Sequence, residues 1–390
     1  MMSNTYLLNT YAQWPVTFVS GEGVYLTDEE GNSYLDCVGG IAVNALGYKH
    51  PGLTQALGEV LESGVLHVSN LYYNVYVLEA AKKLTALAEM ENVFFCNSGA
   101  EANEAALKLA RKWGNTKNKS TIISMVDSFH GRTYAAVTAT GQKKYHQHFD
   151  PLPSGFVYAT FNDLESVKEL INKNTCAIIV EPIQGEGGIV PATRAFLQGL
   201  RDLCDEHDLL LLYDEVQCGM GRSGKAFAHQ VYGVKPDILT TAKALAGGVP
   251  AGAMLTQGKA NDVFVPGDHA STFGGNALAT RAISYMCDTL QAKGFLTHVD
   301  EIGTYLRAKL EELKTQFPTL ITDVRGIGLI NGIALTIPPK DVVAKCFEKK
   351  LLLVSAGSNV VRFVPPLIIK KEEIDKAIAI LKESLEEIAV

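Results

Sequence analysis

Short apolar runs alternate with helix-length stretches through the middle of this chain, and that alternation limits the fold more than any other feature. Residues 93–96 (VFFC) precede NSGAEANEAALKLARKW, and 122–125 precede DSFHGRT. Residues 177–180 precede EPIQGEGG, and a polar helical stretch over about 195–207 leads into the leucine run 209–213. Residues 238–240 then lead into Lys243. Strands of this length that are apolar on both faces must be covered twice. The arrangement that does so with intervening helices is a mostly parallel sheet wrapped on both sides. The expected class is α/β.

The pattern changes at the glycines before Asn276. Helical stretches are predicted over 276–291 and 298–316, followed by strand-like DVRGIGLINGIAL and VVRFVPPL. From Lys371 a last helix carries Ile374, Ala377, Ile378, Leu381 and Leu385 at helical spacing. At the other end, 24–26 and 34–35 flank DEEGN, a turn sequence that predicts a hairpin. Residues 39–51 are glycine-punctuated and read as loop, and helices are expected near 53–61 and over 78–88. The division this implies is an N-terminal arm and hairpin (1–50), a large α/β domain (51–275) and a smaller α+β C-terminal domain (276–390) on which the arm packs.

At 390 residues, with 47% hydrophobic and 20% charged positions, the chain can bury a sizeable core. Its net charge of −7 argues against a nucleic-acid partner, which needs a basic surface. The 7 cysteines include no CxxC pair, as expected of free thiols in a reducing compartment. There is no basic-then-apolar leader at the N-terminus and no apolar run of membrane-spanning length, so a cytoplasmic location with no membrane partner is expected.

In an open parallel sheet, ligands bind where strands end. The chemistry-bearing residues fall at those ends: Asn97–Ala100, Asp127–Arg132, Glu181–Gly188, Asp214–Gln217 and Lys243. Ser98, Gly99 and Ala100 open a helix whose first amides have no intrahelical acceptor, a place for phosphate, although an ordinary N-cap reads the same way. Asp214 ends a buried-looking strand. It is either a cap or ion-pair partner, or a carboxylate that keeps a ring nitrogen protonated so that the ring withdraws electrons. Gln217 is placed to reach another polar atom of the same ring. Lys243 sits in TTAKALAGG, a small-residue setting that suits a desolvated amine better than a solvated one, and a desolvated amine attacks aldehydes. Phe129 in SFHGRT is either core or a stacking surface, and Arg132 is either solvated or a fork for a carboxylate. Arg362 lies inside an apolar run and needs an acidic partner or an acidic ligand, with Glu186 in QGEGG one candidate.

Two patterns point elsewhere. The segment 219–225 (GMGRSGK) matches both GxGxxG and GxxxxGK. The position after Lys225 is Ala226, where a phosphate loop needs Ser or Thr for magnesium, and the segment does not directly follow its strand. It reads as a connecting loop. The nine histidines show no metal-ligand spacing, so no metal is expected, and there is no GxSxG elbow.

Taken together, PVTFVSGEGVYLTDEEG, GGIAVNALGYKHP, FFCNSGAEANEAALKLAR, SFHGRT, VEPIQGEGG, LLLYDEVQCGMGRSG, PDILTTAKALAGGVPAGAML, STFGGN and RFVPPL resemble the class III, fold-type I pyridoxal-phosphate aminotransferases over nearly the full length. Within that family the likeness is to the branch acting on N-acetylornithine. The resemblance implies a cytoplasmic homodimer with shared active sites, in which pyridoxal 5'-phosphate is carried by Lys243, with Asp214 on its ring nitrogen and Gln217 on its ring hydroxyl. It implies Phe129 stacked on the ring, and Gly99 and Ala100 at the phosphate with Thr272 from the other subunit. Arg132, with Ser271, would hold the α-carboxylate of acetylornithine. Glu186 would pair with Arg362 while the amino donor is bound and release it for 2-oxoglutarate, so that glutamate is the second product. Ile41 stands where related ornithine transaminases carry a tyrosine for the free α-amino group, which suits an acylated nitrogen. Succinyl-diaminopimelate is a further donor by that logic, with ornithine or 4-aminobutyrate the alternatives.

Overall fold

The computed structural model describes residues 6–389, so the first residues of the expected arm, 1–5, lie outside the described part. Its centre is a 7-stranded sheet. In spatial order the strands are Asn92–Cys96, Gly252–Thr256, Ile238–Thr241, Leu210–Asp214, Thr175–Val180, Thr121–Met125 and Phe156–Ala159. All neighbours are parallel except at Gly252–Thr256, which runs antiparallel to both strands beside it. The leucine run is buried at every position from Leu209 to Tyr213, as expected for a strand covered on both faces.

Helix Gly99–Asn115 lies on one face of this sheet. It presents Ala102, Ala105, Ala106, Leu109 and Ala110 inward, and small side chains at helical spacing let it approach closely. Its start is held twice: Ser98 Oγ accepts from Glu101 N at 3.2 Å, and Asn97 N donates to Glu101 Oε2 at 2.8 Å. The helix Arg194–Glu206, capped by Thr193, packs Phe196, Leu197, Leu200 and Leu203 on the opposite side of the chain's core.

The C-terminal part forms a 4-stranded antiparallel sheet in the order Ile321–Ile327, Ile330–Leu335, Val360–Phe363, Val354–Ala356. Helices Phe295–Gln316, Pro339–Glu348 and Lys371–Ala389 accompany it. The N-terminal strands Phe18–Glu22, Tyr25–Asp28 and Ser33–Asp36 form an antiparallel meander, and Ser33–Asp36 is continued in parallel by Leu351–Leu352. Helix Ala277–Gln291, capped by Asn276, lies against the helices Pro51–Ser63 and Val77–Ala88, with Lys83 paired to Asp288 at 2.6 Å and Arg281 to Glu59 at 2.9 Å. One continuous cluster of buried side chains runs from Leu35 through Leu84, Leu239 and Met286 to Leu385, joining the N-terminal, central and C-terminal parts.

The glycine-punctuated segment after Asp36 is more ordered than a loop reading suggests. Gly39, Gly40, Ile41 and Ala42 all have φ between 55° and 65°, a single left-handed turn. Two of those residues carry a Cβ, so the turn is strained by about 1–2 kcal/mol for each of them. Asp36 holds it: Oδ1 accepts from the amides of Val38 (2.7 Å) and Gly39 (3.0 Å), while Tyr48 Oη donates to Oδ2 at 2.5 Å. No helix among the described residues is long and apolar enough to cross a membrane.

Candidate active site

Asp214 is the last residue of its strand and lies opposite Thr240 in the neighbouring one, three positions before Lys243. The parallel register therefore brings the two to one rim of the sheet. Both line a cavity of about 460 Å³, together with Gly99, Ala100, Phe129 and Arg132. That volume lies within the range of small-molecule sites.

Asp214 is almost wholly buried and accepts three hydrogen bonds: from Asn103 Nδ2 and His130 Nδ1 at 2.7 Å each, and from Val216 N at 3.0 Å. Asn103 is held in turn, because Thr240 Oγ1 donates to its Oδ1 at 2.6 Å and its own amide also donates to His130 O at 2.7 Å. The carboxylate is thus fixed by donors from a helix, a loop and its own turn. Lys243 adopts φ +47° in the turn after its strand, and among the described residues no hydrogen bond or ion pair holds its amine. Burial keeps that amine below the ordinary lysine range, against the opposing pull of Glu186.

Glu181 directly follows the strand Thr175–Val180 and also lines the cavity. It accepts from Phe129 N at 2.8 Å and Gly185 N at 3.1 Å, so one carboxyl positions the loop of the aromatic ring and the loop of Glu186. Burial pushes it up to about 7, with His130 opposing and Asp214 reinforcing the shift.

Glu186 and Arg362 meet. Arg362 Nη1 donates to Glu186 Oε1 at 2.5 Å and to Gln217 Oε1 at 2.9 Å, and Gln217 Nε2 donates to Glu186 Oε1 at 3.2 Å. Arg362 is fully buried. Burial raises the Glu186 carboxyl, but the charges of Arg362 and Lys243 outweigh it and hold the group below the ordinary range. Arg132 is exposed at the edge, its guanidinium 4.0 Å from the Tyr145 ring centroid and 5.4 Å from that of Phe129.

Not every expected residue converges here. Ser271 and Thr272 line an adjoining hollow with Glu101 and His269. Asn97 forms the wall between the two spaces and donates to Ser271 Oγ at 3.0 Å. Ile41 stands partly exposed on its left-handed turn and does not line the cavity, whereas Val43 does. Asn103 and Val43 were not singled out from the sequence. Asn103 carried a signal, being an amide on the otherwise alanine-lined face of its helix, four residues after Gly99. Val43 carried none.

The cavity's donor set fits a phosphorylated, aldehyde-bearing ring. Gly99 is in close contact with the chain, since an added Cβ would lie 2.7 Å from Val216. The Gly99 and Ala100 amides head a 17-residue helix, where the dipole favours an anion. An amine without a partner, a fixed carboxylate and the buried, unpartnered Nε2 of His130 complete the polar groups around the space.

A doubly covered, mostly parallel sheet with these groups at its strand ends is a frame for pyridoxal-phosphate chemistry, and the chain belongs to the class-III aminotransferase family, whose model matches residues 6–385. Its relatives include the acetylornithine aminotransferase of Clostridium acetobutylicum, 50% identical over 98% of this chain and 100% of that one. That of Aquifex aeolicus is likewise 50% identical, over 98% of this chain and 100% of its own. Among solved structures, the N-acetylornithine aminotransferase of Stenotrophomonas maltophilia superposes with TM-score 0.84 at 34% identity, over 97% of this chain and 98% of its own. An ornithine aminotransferase from Toxoplasma gondii, solved with partial occupancy of PLP at its active site, superposes with TM-score 0.92 at 32% identity, over 97% of this chain and 92% of its own.

Proposed function

We propose that this enzyme uses pyridoxal 5'-phosphate to move the δ-amino group of N2-acetyl-L-ornithine to 2-oxoglutarate, yielding N-acetyl-L-glutamate 5-semialdehyde and L-glutamate, a step of arginine biosynthesis. The observation that carries this reading is the meeting of the unpaired Lys243 amine and the triply bonded Asp214 carboxylate in one cavity, in a chain half identical along its length to acetylornithine aminotransferases.

Bound there, pyridoxal phosphate supplies an electron sink for the carbon that loses its proton. Asp214 would hold the ring nitrogen protonated, Phe129 would cover the ring, and the Gly99 and Ala100 amides would take the phosphate. Lys243 Nζ would both hold the cofactor and act as the base that moves the proton at the amine-bearing carbon, work for which a lowered pKa is suited. Gln217, which bridges Glu186 and Arg362, would hold the ring hydroxyl. Arg132 would receive the donor's α-carboxylate at the mouth. Glu186 neutralises Arg362 while the donor is bound and yields it to the second carboxylate of 2-oxoglutarate.

The enzyme acts as a cytoplasmic homodimer in this reading. Leu71, Tyr72, Tyr73 and Val75 are largely exposed on one stretch of chain, and Phe273 is exposed beside Thr272. An apolar run of that kind is what a second copy covers, and it would bring Thr272 to the partner's phosphate site. The division into 1–50, 51–275 and 276–390 belongs to the same reading. It is supported by the separate C-terminal sheet and by the pairing of Ser33–Asp36 with Leu351–Leu352.

A donor panel on the purified holoenzyme tests the assignment, read by the change in cofactor absorbance. Acetylornithine and succinyl-diaminopimelate should react faster than ornithine and 4-aminobutyrate. Faster reaction with ornithine would overturn the donor assignment and the role given to Ile41. Size exclusion and light scattering test the dimer, and a monomer with full activity would end that part of the reading.

A further inference from the structure

The segment 219–225 matched two nucleotide-loop patterns, yet none of its residues lines the cavity. Its arginine has another use. Arg222 is fully buried, and its Nη1 donates to Leu329 O at 3.0 Å and to Pro365 O at 2.5 Å. Leu329 immediately precedes the strand Ile330–Leu335, and Pro365 closely follows Val360–Phe363. Those strands pair with each other, with Gly332 opposite Arg362. We infer that Arg222 is a positioning residue: it ties the strand that carries Arg362, and the strand paired with it, to the loop beyond Asp214 and Gln217, and so fixes where Arg362 presents its charge to the oxo-acid.

Three observations support the inference. The loop is shaped for close approach: Gly221 has φ +89°, and an added Cβ there would lie 2.7 Å from Leu290 and 2.9 Å from Leu367. On the facing side Gly328 has φ +56°, with the Arg222 carbonyl 2.6 Å from where its Cβ would stand, and Leu329 N donates to that same carbonyl at 2.9 Å. Lastly, the guanidinium has no acidic partner among the described residues, and its Nε and Nη2 are buried without hydrogen bonds. Burial lowers it to about 9, which still leaves it charged at neutral pH. An unpaired buried cation is costly to a fold, and the two carbonyls on Nη1 are its compensation. The segment after Arg362 has other anchors, Val364 N to Cys37 O at 2.9 Å and Leu367 N to Ala45 O at 2.7 Å. Losing Arg222 should therefore displace Arg362 rather than unfold its strand.

The inference rests on the reading that Arg362 binds the acceptor. It is tested on the holoenzyme by following the two half-reactions separately. Arg222→Met should weaken 2-oxoglutarate binding roughly tenfold, the worth of a charge-assisted hydrogen bond, and leave the acetylornithine half-reaction within about twofold. Arg222→Lys should restore acceptor binding to within about threefold, because only one nitrogen is used and an ammonium offers three donors. Unchanged acceptor binding in Arg222→Met, or equal loss in both half-reactions, overturns the inference. If that variant does not fold, Arg222→Gln, too short to reach both carbonyls, is judged by the same split. Arg362→Ala separates the two ideas. If it leaves 2-oxoglutarate binding intact, the acceptor reading fails and the inference with it. If it abolishes binding while Arg222→Met has no effect, only the inference fails.

Discussion

Replacing Glu186 with glutamine probes how one cavity accepts two substrates of different charge. In the structure Arg362 is buried, and its only acidic partner among the described residues is Glu186 at 2.5 Å, with Gln217 as a neutral second acceptor at 2.9 Å. Removing one partner of a buried, hydrogen-bonded charge pair costs about 2–5 kcal/mol. Here the cost is smaller, because the Glu186 side chain keeps 25% of its exposure and Gln217 still accepts from the guanidinium. An effect of about 1.5–3 kcal/mol is expected, or roughly 10- to 150-fold in a rate or binding constant. The direction differs between half-reactions. A donor with no second carboxylate at that place meets an uncompensated cation, so kcat/KM for acetylornithine should fall by about that factor. 2-Oxoglutarate no longer competes with Glu186 for Arg362, so its binding should be unchanged or tighter. The assay is single-turnover absorbance with each substrate alone, and the measured quantity is the ratio of the two constants. An equal fall in both would mean that the pair is a fixed structural contact, and the exchange argument would be wrong. Acidification offers a parallel check. Glu186 is held below the ordinary carboxylate range, so its contribution is present above the unfolded value of about 4.3 and is lost only as pH falls through the folded one. The pair is intact at neutral pH.

Lys243→Ala should lower turnover by at least about 10³-fold, while the apo-protein melts no lower than the parent, since the buried amine has no hydrogen-bond or ion-pair partner among the described residues; a lower apo Tm would assign the lysine a structural role. Asp214→Ala strands the buried donors of Asn103, His130 and Val216 and should cost at least about 2–3 kcal/mol in urea denaturation of the apo-protein, with cofactor affinity falling too. Burial pushes Glu181 up to about 7, and it pushes Glu215, which follows Asp214 and accepts from His229 N at 2.8 Å, up to about 8. Both folded values lie above the unfolded value of about 4.3, so the native state holds the extra protons and apo-protein stability should decline as pH rises from about 5 to 8. Glu181→Gln should roughly halve the slope below about pH 7 and leave the decline from 7 to 8, whereas Glu215→Gln should roughly halve the slope below 7 and remove the decline above it; an unaltered slope in both variants would show that neither carboxyl is its source.

Much of the arrangement was legible before any tertiary contact was known, and particular residues show why. The leucines before Asp214 and the apolar residues before Glu181 are too short a run for a helix and carry no polar face. Composition alone therefore demands a strand covered on both sides. Once the strands are parallel, their chemistry-bearing ends must share a rim, and Asp214 and Lys243 come together as a consequence of that geometry. What local pattern cannot carry is pairing across long separations. Asn103, 111 residues from Asp214, holds the carboxylate because one helix happens to cross the strand end there. Arg362 finds Glu186 across 176 positions because a C-terminal sheet docks on the loop Glu186 occupies. Val43 reaches the cavity wall, where Ile41 does not, because Asp36 and Tyr48 hold a left-handed turn that no propensity favours. Arg222 reads as part of a connecting loop until the carbonyls of Leu329 and Pro365 appear beside it. By itself, then, the sequence determined the strands, their covering and the ends at which chemistry gathers, since these follow from apolar periodicity and local backbone limits. Which polar groups meet, and which are buried without partners, was decided only by tertiary packing, because a hydrogen bond depends on distances that the order of residues does not contain.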